Sequence, residues 1–121
     1  MTPHQISLNE AAAMTSRFRA NREAILAARY QNLNILPLSE TFERSAVDAI
    51  LARSGCSGLR IYYGMDELLK VHAILVGSDE KNNDILPPHQ NTLQETEDDY
   101  LAELSIRCPP TCPGDGPLND D

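Results

Sequence analysis

Tryptophan is absent from this 121-residue chain and phenylalanine occurs only twice. Bulky aromatic core material is therefore scarce, and Leu, Ile, Val and Ala must fill the interior. No run of about 18 apolar residues occurs, which excludes a membrane-spanning helix. The opening segment MTPHQISLNEAAAM lacks a basic stretch followed by an apolar one, so no secretory signal is visible and a cytoplasmic location is expected. The cysteines number three, an odd count that argues against a closed disulfide framework. Basic charge in excess is missing too: the net charge is −8, which speaks against nonspecific nucleic-acid binding.

The charge that is present is unevenly placed. Residues 1–83 hold nine acids and nine Lys/Arg, whereas residues 84–121 hold nine acids and Arg107 alone. The imbalance belongs to the last third, as expected of a solvated acidic tail or of a segment that docks on a basic surface. At this length one compact domain is expected, taken here as residues 1–86, followed by an acidic extension over 87–121.

Periodicity predicts the elements. Ser7 stands three residues before Glu10, the spacing of a capping box. Ala11, Met14, Phe18, Ile25 and Ala28 then recur at helical spacing, which predicts a helix over about 8–30. Its polar side carries Arg17, Arg19, Arg22 and Arg29, either a solvated face or a basic docking strip. Pro37 interrupts the chain. Ser39 as N-cap, then Phe42, Ala46, Val47, Ala49 and Ile50, with Gly55 at the end, predict a second helix over about 40–53.

At Gly55–Gly58 the period changes. Leu59, Ile61 and Tyr63 alternate with Arg60 and Tyr62, and Leu69, Val71, Ala73 and Leu75 share a face farther on. Antiparallel strands over 58–63 and 69–77 follow, with DILPP as a brief third strand. The fold expected is α+β, two N-terminal helices packed on a small antiparallel sheet. Leu59, Ile61, Val71, Ala73 and Leu75 should line its core with Phe18, Phe42 and Ile50. Thr92 and Glu95 repeat the capping-box spacing and open a marginal helix over about 93–104. Past Ile106 the Pro, Gly and Asp content excludes regular structure.

Three places invite a chemical reading. In RCPPTCP the cysteines stand in C-x3-C spacing, unlike the C-x2-C pairs of zinc sites or of thioredoxin-like redox centres. Cys56, His72 and His89 would complete a metal set only if the tail folded back, so no metal and no cofactor is expected. If Pro109 and Pro110 hold polyproline II, at about 3.1 Å per residue, Cys108 and Cys112 lie roughly 12 Å apart. That is too far for a disulfide, which tolerates roughly 4.4–6.8 Å between Cα atoms; only a tight turn, as with a cis proline, would bring them within reach. Reduced cysteines in a stiff docking tail are expected, with Cys56, Cys108, Pro109, Pro110, Cys112 and Leu118 as the docking residues. The run Asp79, Lys81, Asn83, Asp84 faintly mimics a calcium loop, but Lys81 occupies a ligand position, and a hairpin turn is the better reading. Arg60, Tyr62 and His72 share the polar face of the strands and are candidates for ligand contact. No nucleophile stands beside His72, and no catalytic constellation emerges.

The combination of GLRIYYG, ILVGSD with NND, CPPTCP and a terminal PLN resembles a group of small bacterial proteins that carries no established activity. The resemblance covers about residues 55–86 and 107–119. It implies an N-terminal helical region, a short hairpin and a Cys-Pro tail, with Cys56, Cys108 and Cys112 belonging to one recurring pattern. The functions expected are, in order, a small protein-interaction module using a sheet edge and the tail, a structural subunit of a homo-oligomer or filament, and a metal- or redox-sensitive switch built on the three cysteines.

Overall fold

A computed structural model describes residues 4–87 and 105–119. The helix expected over about 93–104 lies outside the described residues. The elements run α1 (Leu8–Asn21), a 3₁₀ turn (Ala28–Tyr30), β1 (Ser39–Thr41), α2 (Arg44–Leu51), β2 (Gly58–Met65), β3 (Val71–Ser78), β4 (Asp84–Ile85) and β5 (Ile106–Cys108). The class is α+β, with one sheet ordered β2-β3-β4 and a two-stranded sheet of β1 and β5. The chain divides into two compact units, Met1–Ser39 with Arg107–Asp121, and Glu40–Ile106. This partition differs from the expected 1–86 and 87–121.

In the first unit α1 begins as its capping residue dictates: Ser7 Oγ accepts the Glu10 N–H at 3.0 Å. The helix stops at Asn21 rather than at residue 30. Arg22 donates to the Leu36 carbonyl at 2.7 Å, and the Glu23 carboxylate accepts the Asn32 N–H at 2.7 Å. Those bonds hold the returning chain, in which Asn32 and Asn34 take left-handed φ of 64° and 55°. Each helical residue adds only one hydrogen bond when a helix lengthens, so long-range bonds of this kind suffice to end it. The half-buried positions of α1 are Ala11, Ala12, Thr15, Ser16 and Arg19, while Met14 and Phe18 are exposed. Of the expected apolar face within α1 only Ala11 is thus packed, and Arg19 and Arg22 reach carbonyls within the unit.

The C-terminal tail belongs to this same unit. The Leu38 N–H donates to the Cys108 carbonyl at 2.7 Å, Arg107 to the Asn34 carbonyl at 3.0 Å and Arg19 to the Leu118 carbonyl at 2.7 Å. Ile35 and Cys108 are its buried apolar residues. Cys108 and Cys112 form a disulfide with Cα atoms 4.7 Å apart. This corrects the expectation of reduced thiols. A Cα separation of 4.7 Å shows that the segment is not the extended polyproline helix on which the 12 Å separation rested; the Cys108–Pro109 and Pro109–Pro110 peptides are both cis.

The second unit is built on the β2–β3 hairpin. The register runs without interruption from Gly58 opposite Ser78 to Met65 opposite Val71. β4 adds Asp84 and Ile85 opposite Ser78 and Gly77. The turn before β4 is closed by Asp79, whose carboxylate accepts the N–H groups of Lys81 and Asn83, each at 2.9 Å. α2 starts at Arg44, after Glu43 as N-cap, so neither residue 40 nor Ser39 opens it. Glu40 stays extended instead: its carboxylate accepts the Ala73 N–H at 2.9 Å and the Ser105 hydroxyl at 2.8 Å.

Ile50 and Leu75 are the buried pair of this core, with Phe42, Ala46 and Val47 packed against them. Close approach explains Gly77, where a Cβ would stand 2.9 Å from the Cys56 Sγ and 3.4 Å from Ile50. Leu59 and Ile61 share the Leu75 face but are 42% and 50% exposed, contrary to the expected core. The reason is lateral placement: through Ile50, α2 packs on Leu75 and Gly77 of β3 and covers their partners Ile61 and Leu59 on β2 only in part. An eight-residue helix also spans only about 12 Å, whereas eight-residue strands run roughly 26 Å, and Tyr63 and Met65 at the far end of the face are the most exposed.

Candidate functional site

On the opposite face of the sheet Arg60 lies directly across from Val76, which is 1% exposed. The Arg60 guanidinium reaches past it to Asp84 on β4 and to Asn82, whose carbonyl it meets at 3.1 Å. Tyr62 donates its hydroxyl to the other Asp84 oxygen at 2.5 Å. The hydrogen bond from Tyr62, and after it the Arg60 guanidinium, hold the Asp84 carboxyl below its ordinary value against the opposing effect of desolvation. The bond to Asp84 likewise raises the Tyr62 hydroxyl. Arg60 and Tyr62 therefore spend their polar groups on a clamp that ties both edges of the sheet together over Val76.

His72 sits at the other end of the hairpin. Its Nε2 is 2.7 Å from the Asp66 carboxylate and its Nδ1 is 3.9 Å from that of Glu40. Both ring nitrogens face carboxylates, which leaves none directed at a substrate. Hydrogen bonding by His72, then by the Lys70 and Leu68 N–H groups, lowers the Asp66 carboxyl. Beside this pair lies a cleft of about 290 Å³ lined by Gly64, Met65, Asp66, His72 and Ile74. It falls at the bottom of the size range of ligand pockets, roughly 300–1,000 Å³, and its Asp66 carboxylate and His72 ring are turned to each other.

Asp66 also shapes the β2–β3 turn. One carboxylate oxygen accepts the Leu68 N–H at 2.8 Å and the Lys70 N–H at 3.0 Å. These bonds hold Leu69 at a φ of 68°, a left-handed conformation that costs a residue with a Cβ about 1–2 kcal/mol. The turn so fixed presents Leu68, which is 73% exposed.

The feature that sequence reasoning missed is the outer face of β2. Leu59, Ile61, Tyr63 and Met65 alternate along the strand, share one face and are all exposed, Tyr63 at 79%. Among the described residues β2 is also an edge strand, paired with β3 alone. Sheet edges usually carry a proline, a bulge or a free charge that discourages further pairing. β2 has no proline, its register has no bulge, and its single charge, Arg60, is neutralised by Asp84.

The expected tail-docking residues divide between the units. Cys108 is buried, Pro109 half-buried, and Pro110, Cys112 and Leu118 exposed, all in the first unit. Cys56 belongs to the second, where its thiol fills the space above Gly77 and donates to the Gly58 carbonyl at 3.3 Å. Among the described residues no group of three His, Cys, Asp or Glu side chains is arranged to hold a metal ion, and no helix is long and apolar enough to cross a membrane. Comparison of the chain with protein-family models, with curated proteins and with solved structures finds no match.

Proposed function

We propose that this chain is a protein-interaction module that takes up an extended strand along the β2 edge. One observation carries the reading: an eight-residue edge strand with four exposed apolar side chains on one face and none of the usual protections against pairing. Main-chain hydrogen bonds at the edge would supply affinity, and the alternating side chains would supply selectivity for a strand that is apolar at every second position. The sequence reading also gave the tail a binding role. Its Arg107, Cys108 and Leu118 backbone or side-chain groups are engaged inside the first unit, so the binding role is assigned to the sheet edge.

The cysteine pair bears on location. A disulfide persists in an oxidising compartment and is rare in the cytosol, so the Cys108–Cys112 bond favours an exported or envelope setting over the cytoplasm. It also speaks against a metal switch on three thiolates, since two of them are bonded to each other.

The test uses short fluorescent peptides that alternate isoleucine and threonine, with scrambled peptides of equal composition as controls. Saturable binding of the alternating set is expected, with loss in an Ile61→Lys, Tyr63→Lys double variant that keeps its far-UV circular dichroism. Equal binding of both peptide sets, or of both proteins, would remove the sheet edge as the docking site.

A further inference from the structure

Resting on the sheet-edge reading, we infer that the strand taken up by β2 is β2 of a second copy of this chain, paired antiparallel about a twofold axis at Tyr62. The geometry of such pairing is restrictive. Directly opposed residues in an antiparallel pair point to the same face, so a twofold axis perpendicular to the sheet must set one residue opposite its own copy, never opposite its sequence neighbour. With the axis at Tyr62, Leu59 faces Met65 of the second copy and Ile61 faces its Tyr63, each pair occurring twice. All four exposed apolar residues then meet apolar partners, in aliphatic–aromatic and aliphatic–thioether pairs of the kind that stabilise sheets.

The neighbouring registers are poorer. An axis at Ile61 sets Met65 against Ser57, an axis at Tyr63 sets Leu59 against Glu67, and an axis at Arg60 sets two guanidinium groups against each other. The Tyr62 register instead places Arg60 opposite Gly64, where no side chain competes with its bond to Asp84. On that face the two Tyr62 rings meet at the axis. The result is a continuous six-stranded sheet, β4-β3-β2 followed by the same three strands in reverse order.

Area sets the strength. The four side chains are 42–79% exposed, and at about 150–250 Å² for a large side chain they offer on the order of 400 Å² per copy. That is about half of the roughly 800 Å² per partner of a standard stable interface. The dimer is therefore a weak one, visible at high protein concentration. Charge acts in the same direction. Each copy carries −8, so association brings like charges together, and salt strengthens it by screening. Docking of the acidic tail on an arginine face would show the opposite salt dependence.

Sedimentation velocity of the full chain over a concentration series, at low and moderate salt, tests the inference. Reversible dimerisation that tightens with salt is expected. Ile61→Lys alone and Tyr63→Glu alone should each weaken it by roughly tenfold or more, since each sets an unpaired charge against an apolar neighbour. The two substitutions combined in one chain place the introduced lysine opposite the introduced glutamate of the other copy, and most of the association should return. Both positions are exposed in the single chain, so the fold is retained, as far-UV circular dichroism would verify. A chain that stays monomeric at every concentration overturns the inference. So does dimerisation indifferent to the single substitutions, and failure of the combined pair to recover overturns the register. A monomer that still binds the alternating peptides keeps the sheet-edge reading and loses only the second copy; loss of both responses removes both.

Discussion

Ile61 and Leu75 are direct cross-strand partners with side chains on one face of the sheet, and the fold assigns them different energies. Leu75 is 4% exposed and packs with Ile50 under α2, whereas Ile61 is half exposed. Truncating a buried leucine to alanine costs about 2–5 kcal/mol, the spread depending on how far the surroundings collapse. The core here is a buried pair with three partly buried neighbours, so collapse is easy and the expected cost of Leu75→Ala is about 2–3 kcal/mol. For Ile61→Ala the chain loses only half of the transfer energy of a large aliphatic side chain, about 1 kcal/mol or less.

Urea unfolding followed by far-UV circular dichroism measures both, at a protein concentration low enough to keep β2 unpaired. Leu75→Ala should lower the midpoint clearly more than Ile61→Ala does. Small domains hold only about 5–15 kcal/mol of stability in total, so the larger effect is easy to resolve. Equal costs would mean that Ile61 is covered, and the open face on which the docking proposal stands would not exist. A cost for Ile61→Ala that grows with protein concentration would instead report its burial in the dimer.

Acid should destabilise the second unit through Asp84 and Asp66, whose folded values are held below the ordinary carboxylate range by Tyr62 and by His72 respectively. For a depressed group the stabilisation is present above the unfolded value, about 3.9 for Asp, and is lost as pH falls from there through the lower folded value. Asp84→Asn should reduce stability at neutral pH and flatten this acid slope, as urea midpoints across that range would show; an unchanged slope would count against the clamp. In the first unit, truncation after Leu104 removes the acceptors of Leu38 and Arg19 and the buried Cys108. Amide hydrogen exchange in α1 should accelerate, and unchanged protection would mark the tail as energetically idle. Thiol titration of the unfolded, unreduced chain should find Cys56 alone.

What could be read in advance follows the range of the interaction. The start of α1 depends on Ser7 and Glu10, three residues apart, and was legible. So were the hairpin and the turn before β4, because alternation and turn residues act over a few positions. The end of α1 was not legible, since it depends on Arg22 reaching the Leu36 carbonyl and Glu23 reaching the Asn32 N–H. The start of α2 was missed for the same reason: Glu40 is drawn into bonds with Ala73 and with Ser105, 65 positions away. The cysteine pair is not legible because C-x3-C spacing translates to a distance only through the proline geometry, and the chain does not adopt the extended one.

The candidate site shows where pattern reading reaches its limit. Alternation states which residues of β2 share a face, and it did so correctly for Leu59, Ile61 and Tyr63. It does not state what covers that face, because cover is set by the length and placement of another element. Here α2 packs through Ile50 on Leu75 of β3 and covers the adjoining β2 row only in part, and the same row looks like core in the sequence. Residues with core chemistry and surface positions are the signature of an interface. The Arg60–Tyr62–Asp84 clamp supports this division of labour. It seals Val76 on the far face with polar groups that satisfy one another, holds the edge strand to β4 across β3, and leaves the apolar face of β2 as a surface only partly covered within its own unit among the described residues.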